Sequence, residues 1–270
     1  MNPSRWPDVP VCGEKSDWNP ETYARFRGLR LRPALDLLAQ VGALPGGAIV
    51  DLGCGGGAVG AALAARWPDR ARLGLDASPA MLAEARATGA YTALIEADAA
   101  NWAPAMPVAL IFSNAALHWL PDHAVLLPRL AGLLVAGGML AVQMPRQFKA
   151  PSHRFLRDIA ASMFPERFDF AQYEAPVRPA ATYWQMLAPL GHVDAWETDY
   201  VQRLDPSQGM HPVRRFTEST AMRPFLEKLN PDEAAAFGHA YEAALAVAYP
   251  LQPDGAVLLA FRRVFFVLTV

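Results

Sequence analysis

The sequence predicts an α/β protein built on a doubly wound, mostly parallel sheet of seven strands. Three observations predict it. Short apolar runs alternate with helix-suited segments between residues 48 and 145, the pattern of β-α units feeding a parallel sheet. Those runs are continuously apolar rather than alternating, as strands covered on both faces are. A glycine-rich turn joins the first run to the helix after it, and such a turn opens doubly wound sheets.

The elements follow in order. Residues 1–20 read as a leader or lid, with prolines and no periodicity in the first fifteen. From Glu21 the spacing of Leu31, Leu35, Leu38 and Val41 predicts a helix with one apolar face, stopped by Gly42 and Pro45. Strands are expected at AIVDL (48–52), ARLGLD (71–76), TALIEAD (92–98), VALIFSN (108–114) and MLAVQMP (139–145). Crossover helices suit Ala58–Trp67, Pro79–Ala87 and Asp122–Val135; Ser78 before Pro79 makes a good N-cap and N1 pair. After Pro145 the chain turns to aromatics, prolines and helical stretches such as Asp232–Ala248. Two more strand-like runs, 192–201 and 256–270, complete the sheet. The reading is therefore a core over 21–145, a mainly helical substrate cap over 146–255 interrupted by strand 192–201, and a last strand at 256–270.

Composition narrows the function classes. Hydrophobic residues make up 53% of 270, enough for a substantial core. Charged residues are 19% and the formal net charge is −2, so no global basic field calls for nucleic acid. The cluster of Arg25, Arg27, Arg30 and Arg32 points instead to a local anionic group. The only cysteines, Cys12 and Cys54, argue against a disulfide framework or a metal site and fit a reducing cytosol. The N-terminus lacks the apolar core of a signal peptide. Glycines interrupt the longest apolar stretch, Leu130 to Val142, well short of the roughly 20 residues a bilayer span needs. A cytoplasmic protein with a small-molecule substrate is expected, with no metal and with neither membrane nor nucleic acid as partner; the oligomeric state is left open.

The sharpest motif is Asp51-Leu52-Gly53-Cys54-Gly55-Gly56-Gly57, between the first strand and its helix. Glycine here lets backbone approach a ligand closely, but dinucleotide enzymes use a similar loop. Three acids help to choose. Asp76 ends the second strand, 23 positions past Gly53, where a carboxylate accepts from ribose hydroxyls. Asp98, at the end of the third, could accept from an adenine amino group. Asp51 discriminates: a carboxylate beside the loop repels a pyrophosphate, whereas S-adenosylmethionine (SAM) has no phosphate and carries an ammonium. The candidate cofactor-binding set is thus Asp51, Gly53, Gly55, Gly57, Asp76 with Ala77 and Met81, and Asp98 with Ala99. Capping of the next turn or helix is the competing role for each acid.

These residues resemble the class I SAM-dependent methyltransferases, and within them the trans-aconitate 2-methyltransferases. The matching stretches are SDWNP (16–20), RP (32–33), DLGCG (51–55), RWP (66–68), DASPAMLAEAR (76–86), EAD and NW (96–102), IFSNAALHWLPDH (111–123), LAVQMP (140–145), MRP (222–224), YPLQ (249–252) and LLAF (258–261). The resemblance implies a Rossmann-like methyltransferase sheet, SAM as methyl donor with S-adenosylhomocysteine as product, and monomethyl esterification of a tricarboxylic acid. It also implies that Trp18, Tyr23 and Arg30 lie over the methionine end of SAM, and that Asn114 borders the transferred methyl. The chain departs from the family pattern at Leu29, at Gly56 and Ala58 in the loop, at His118 in place of glutamine, and at Arg146 and Arg262.

Methyl transfer from a sulfonium is an in-line displacement at carbon. A carboxylate nucleophile, with a reference pKa of about 4, needs no general base at neutral pH. The protein's part is then to align the reacting atoms and strip water from the oxygen. A polyanionic acid calls for guanidinium groups. The substrate candidates are Arg32, Arg146, Arg223 and Arg263, with Tyr183 and Trp184 as cap wall. His118 and Trp119, just past the fourth strand, join Asn114 as catalytic candidates; His118 is read as a packing residue, a hydrogen-bond donor or a base. Alternatives are a carrier-bound carboxylate or a natural-product hydroxyl or amine as acceptor, a nicotinamide-dependent oxidoreductase, and a SAM binder without catalysis.

Overall fold

The structure, a computed structural model, describes residues 27–270 apart from Ser219, with side chains from Leu31 onward. The proposed 1–20 leader therefore lies outside the described residues. One seven-stranded sheet has the order β3-β2-β1-β4-β5-β7-β6. Its strands are β1 (Ala48–Leu52), β2 (Arg72–Asp76), β3 (Ala93–Glu96), β4 (Val108–Asn114), β5 (Leu134–Pro145), β6 (His192–Leu204) and β7 (Val257–Thr269). The pairs β3-β2, β2-β1, β1-β4 and β4-β5 are parallel; β7 runs antiparallel to β5.

Burial explains which strands lie where. Every residue of β1, and all of β4 but Asn114, is buried, as their unbroken apolar runs require in the middle of a covered sheet. The expectation of full cover fails for β3, which is the edge strand and has no buried residue. It also stops at Glu96, so Asp98 lies two residues beyond it.

Helix α1 (Arg27–Ala39) buries Ala34, Leu37, Leu38 and, just past its end, Val41. The apolar face is thus rotated from the one the spacing suggested, and Leu35 is 42% exposed. Arg66, ending α2 (Gly60–Arg66), donates to the Leu38 and Val41 carbonyls and closes that C-terminal end. Helix α3 (Pro79–Ala87) starts as expected, with the Ser78 hydroxyl accepting from the Met81 amide. Helix α4 (His123–Ala131) is shorter than expected. Gly132 caps it, and Leu134 and Val135, read as helix, already belong to β5. Gly137 (φ +78°) accompanies a register shift between β4 and β5, a bulge the apolar pattern conceals.

Among the described residues, those up to Pro145 together with Pro176–Thr198 and Arg263–Val270 form one compact unit. Arg146–Ala175 and Asp199–Arg262 form the other. The second unit holds α5 (Pro151–Met163), α7 (Pro212–Glu218), α8 (Arg223–Leu226) and α9 (Pro231–Ala248). The buried Tyr241 of α9 ties it together, donating to Ser152 O at 2.6 Å. Asn230 and Glu233 close a capping box at the start of α9. Helix α6 (Ala180–Leu187) belongs to the sheet-bearing unit instead. Among the described residues, no helix is long and apolar enough to cross a membrane.

Candidate active site

The strand order reverses between β1 and β4, and ligands bind open α/β sheets at the carboxyl ends of strands flanking such a switch. Three glycines of the loop after β1 have positive φ: Gly53 (+75°), Gly55 (+51°) and Gly57 (+78°). Gly53 is required twice over, because a Cβ there would stand 2.2 Å from Ala116 Cβ, in the turn after β4. A Cβ at Gly55 would meet nothing within 4 Å, so the loop's crest is open. The Gly53 and Cys54 amides both donate to Leu75 O, pinning the loop to the end of β2.

The three acids differ in kind. Asp76 takes part in the loop's construction: its Oδ2 accepts from the Gly55 amide at 2.8 Å and its Oδ1 from Ser78 N at 2.9 Å. Ribose acceptor and turn-builder are compatible roles, since each carboxylate oxygen has a second lone pair. Ala77, beside it, is exposed, and Met81 is buried in the first turn of α3. Asp51 is 2% exposed and accepts from the Tyr91 hydroxyl at 2.6 Å. Burial pushes its carboxyl up to about 7; the Tyr91 bond opposes this and the Asp76 charge adds to it. Asp98 is exposed and caps its own turn, accepting from Ala100 N at 2.8 Å and Asn101 Nδ2 at 3.2 Å. Arg129 of α4, absent from the sequence reading, holds that turn by donating to the carbonyls of Ala99 and Trp102.

At the end of β4, Asn114 pairs in register with Gln143 of β5. Asn114 Oδ1 is buried with no hydrogen-bond partner among the described residues, and the same holds for Gln143 Nε2. Ala115 follows in the left-handed region (φ +54°), where its amide donates to Gln143 O at 2.9 Å. The chain then turns through a 3₁₀ segment, Leu117–Trp119. His118 is half-buried, with its ring 4.6 Å from that of Trp119, which is exposed. His123 fixes the turn from behind: Nε2 bonds Leu117 O at 2.9 Å and Nδ1 the Tyr183 hydroxyl at 2.7 Å. Burial lowers the His123 pKa, so the neutral ring bridges the two.

Tyr183 is accordingly no cap wall. It is fully buried on α6, between His123 and the Phe266 ring 5.0 Å away, while Trp184 beside it is half exposed. Arg263 on β7 is buried and donates to Gln143 Oε1 at 3.3 Å. Arg32 stands exposed beside Asp36 at 3.9 Å, and Arg223 bonds Glu227 at 2.8 Å; both are helical i,i+4 pairs. Arg146 lies in the helical unit, its amide donating to Arg262 O at 2.9 Å. Trp18, Tyr23 and the side chain of Arg30 lie outside the described residues. The structure thus brings Asp51, the loop glycines, Asp76, Asn114 and His118 to the carboxyl ends of β1, β2 and β4. The sequence reading missed Tyr91, Arg129 and Gln143, for which no local pattern is a signal.

The sheet, the glycine loop and the carboxylates around it define a class I methyltransferase that uses SAM. A family model described as a methyltransferase domain matches residues 49–138. Trans-aconitate 2-methyltransferases of Methylobacterium radiotolerans, Azoarcus sp. and Escherichia coli are 45%, 42% and 40% identical over 258, 251 and 254 residues. Each alignment covers 93% of this chain and 98% of the relative. The chain belongs to the trans-aconitate 2-methyltransferase family. Among solved structures, a Bacillus halodurans protein shares the fold with a TM-score of 0.54 at 13% identity, over 88% of this chain and 98% of that one.

Proposed function

We propose that this chain methylates one carboxylate of trans-aconitate, a small polyanion, to give a monomethyl ester. The observation that carries the reading is the 45% identity to a relative so named, sustained over 93% of the chain. The loop geometry supports the cofactor's seat: positive-φ glycines with an open crest, a buried carboxylate at Asp51, and an orphaned buried oxygen on Asn114. When bound, SAM supplies a methyl group on a sulfonium. Asp76 would accept from its ribose, Asp51 would meet its ammonium, and Asp98 would accept from its adenine amino group. Asn114 Oδ1 faces the reacting end in this reading and so finds its missing partner. Arg263, whose guanidinium is buried beside Gln143, would supply positive charge for the acceptor. Trp119 would screen the acceptor from water. A cytoplasmic location belongs to the same reading.

No group has to remove a proton, because a carboxylate acceptor is ionised well below neutrality. His118 is then a donor or a wall. The test is labelled SAM with trans-aconitate and other di- and tricarboxylic acids, read for a base-labile methyl ester. At saturating SAM, turnover should be nearly flat between about pH 6.5 and 8.5, and His118→Gln should cost little. If no acid accepts methyl, the substrate reading falls. If instead the rate climbs through a pKa near 6.5 and His118→Gln loses roughly 10²–10⁴-fold, the acceptor is a hydroxyl or amine and His118 its base.

A further inference from the structure

Tyr91 precedes β3, yet its hydroxyl returns across 40 residues of sequence to Asp51 at the end of β1. Glycines leave room for the ring. A Cβ at Gly60 would stand 2.8 Å from Tyr91 Cζ, one at Gly74 3.0 Å from Cδ1, and one at Gly57 3.1 Å from Cε2. The ring is packed against Cys54, Leu82 and Ala85, so the phenol threads from a small apolar cluster up to the underside of the loop. Gly60 has no positive φ to explain it, and the close approach of this ring does.

We propose that Tyr91 is a positioning residue of the cofactor site: by donating to one oxygen of Asp51 it sets the carboxylate's rotation and leaves the other oxygen to meet the ammonium of the bound cofactor. The proposal rests on the role given above to Asp51. The groups that act on Asp51 are the Tyr91 hydroxyl from the turn before β3 and Asp76 from the end of β2; the thiol of Cys54, in the loop, feels the Asp51 charge in turn and is held protonated. Burial and Asp76 favour the protonated carboxyl; the Tyr91 bond opposes them. Burial and the Asp51 charge push the phenol's own pKa up, so Tyr91 remains a donor.

The experiment is titration calorimetry between pH 6 and 8.5 with two ligands. S-adenosylhomocysteine carries the amino-acid end; 5′-methylthioadenosine has the same adenosine and thioether without it. Tyr91→Phe, which keeps the seated ring, should weaken S-adenosylhomocysteine about tenfold at pH 7, the loss shrinking toward pH 8.5. Binding of 5′-methylthioadenosine should not change. Unchanged S-adenosylhomocysteine affinity, or an equal loss for both ligands at every pH, would overturn the proposal, the latter outcome meaning that the phenol only packs the loop. Asp51→Asn separates the two levels. If that variant binds S-adenosylhomocysteine like wild type, the role of Asp51 fails and Tyr91's falls with it. If it loses binding while Tyr91→Phe keeps it, only Tyr91's role fails. Should Tyr91→Phe not fold, difluorotyrosine placed at position 91 is a stronger donor and should tighten S-adenosylhomocysteine below pH 7; no tightening overturns the proposal.

Discussion

Asp51 stores a conflict between stability and binding. Its carboxyl is buried, and desolvation raises its pKa from 3.8 to about 7. In the unfolded chain it is ionised above about pH 4, so between 4 and 7 the native state holds a proton that the unfolded state lacks. Stability therefore falls with rising pH across that window, by about 1.4 kcal/mol per unit, and levels off above 7. The whole span is on the order of 4 kcal/mol. A carboxylate kept at that cost fits the binding role proposed for Asp51. Asp51→Asn keeps an oxygen for the Tyr91 hydroxyl and removes the titration. Its melting temperature should draw ahead of wild type as the pH rises from 5 to 7.5, while affinity for S-adenosylhomocysteine drops. Parallel melting curves across that range would show that Asp51 is ionised in both states.

The two turns that meet at the switch point make opposite demands on their backbones. Gly53 has a φ of +75° and no space for a Cβ, since Ala116 would lie 2.2 Å away. Ala115, one residue earlier in the facing turn, carries a Cβ at φ +54°. Gly53→Ala should cost at least 2–3 kcal/mol in urea unfolding, combining left-handed strain with overpacking. Ala115→Gly relieves about 1 kcal/mol of strain but frees the unfolded chain by a similar amount, so it should fall within roughly 0.5 kcal/mol of wild type. Equal losses in both variants would mean that the turns do not touch. What could be read in advance follows the same logic of locality. The bounds of β1, β4 and α3 were legible because an unbroken apolar run and a Ser-Pro start are local signals. The start of β5 was hidden because Leu133, Leu134 and Val135 resume the apolar run of α4 after a single glycine, Gly132, and the pair Gly137-Gly138 comes only later. A Tyr-Trp pair does not say which ring turns inward, and the hydroxyl partner of Tyr183, His123, is 60 residues away. The glycine loop and Asp76 were legible as a motif. Tyr91 was not, because only the adjacency of β1, β2 and β3 brings it beneath Asp51.

At the scale of the molecule, the described side chains assigned to the cofactor lie in the sheet-bearing unit, on segments far apart in sequence: 51–57, 76–81, 98–99 and 114. A ligand that spans such segments binds only the folded chain, so it must stabilise that fold by mass action. At a hundredfold excess over its dissociation constant, S-adenosylhomocysteine adds about 2.7 kcal/mol. For a chain of this length each kcal/mol moves the melting point by roughly 2–4 °C, which predicts a rise of about 5–10 °C. Asp76→Ala should abolish most of that rise at the same ligand concentration. The variant removes the proposed ribose acceptor and also releases the Gly55 and Ser78 amides, so its unliganded melting point should fall too. The two effects separate on a ligand titration. A construction role alone lowers the baseline but leaves the ligand-induced rise intact, whereas a binding role removes the rise. NADH should produce no shift in either protein, because its pyrophosphate would have to lie beside Asp51. A clear rise with NADH and none with S-adenosylhomocysteine would mean that the loop serves a dinucleotide after all, and the assignment of Asp51 to an ammonium would go with it.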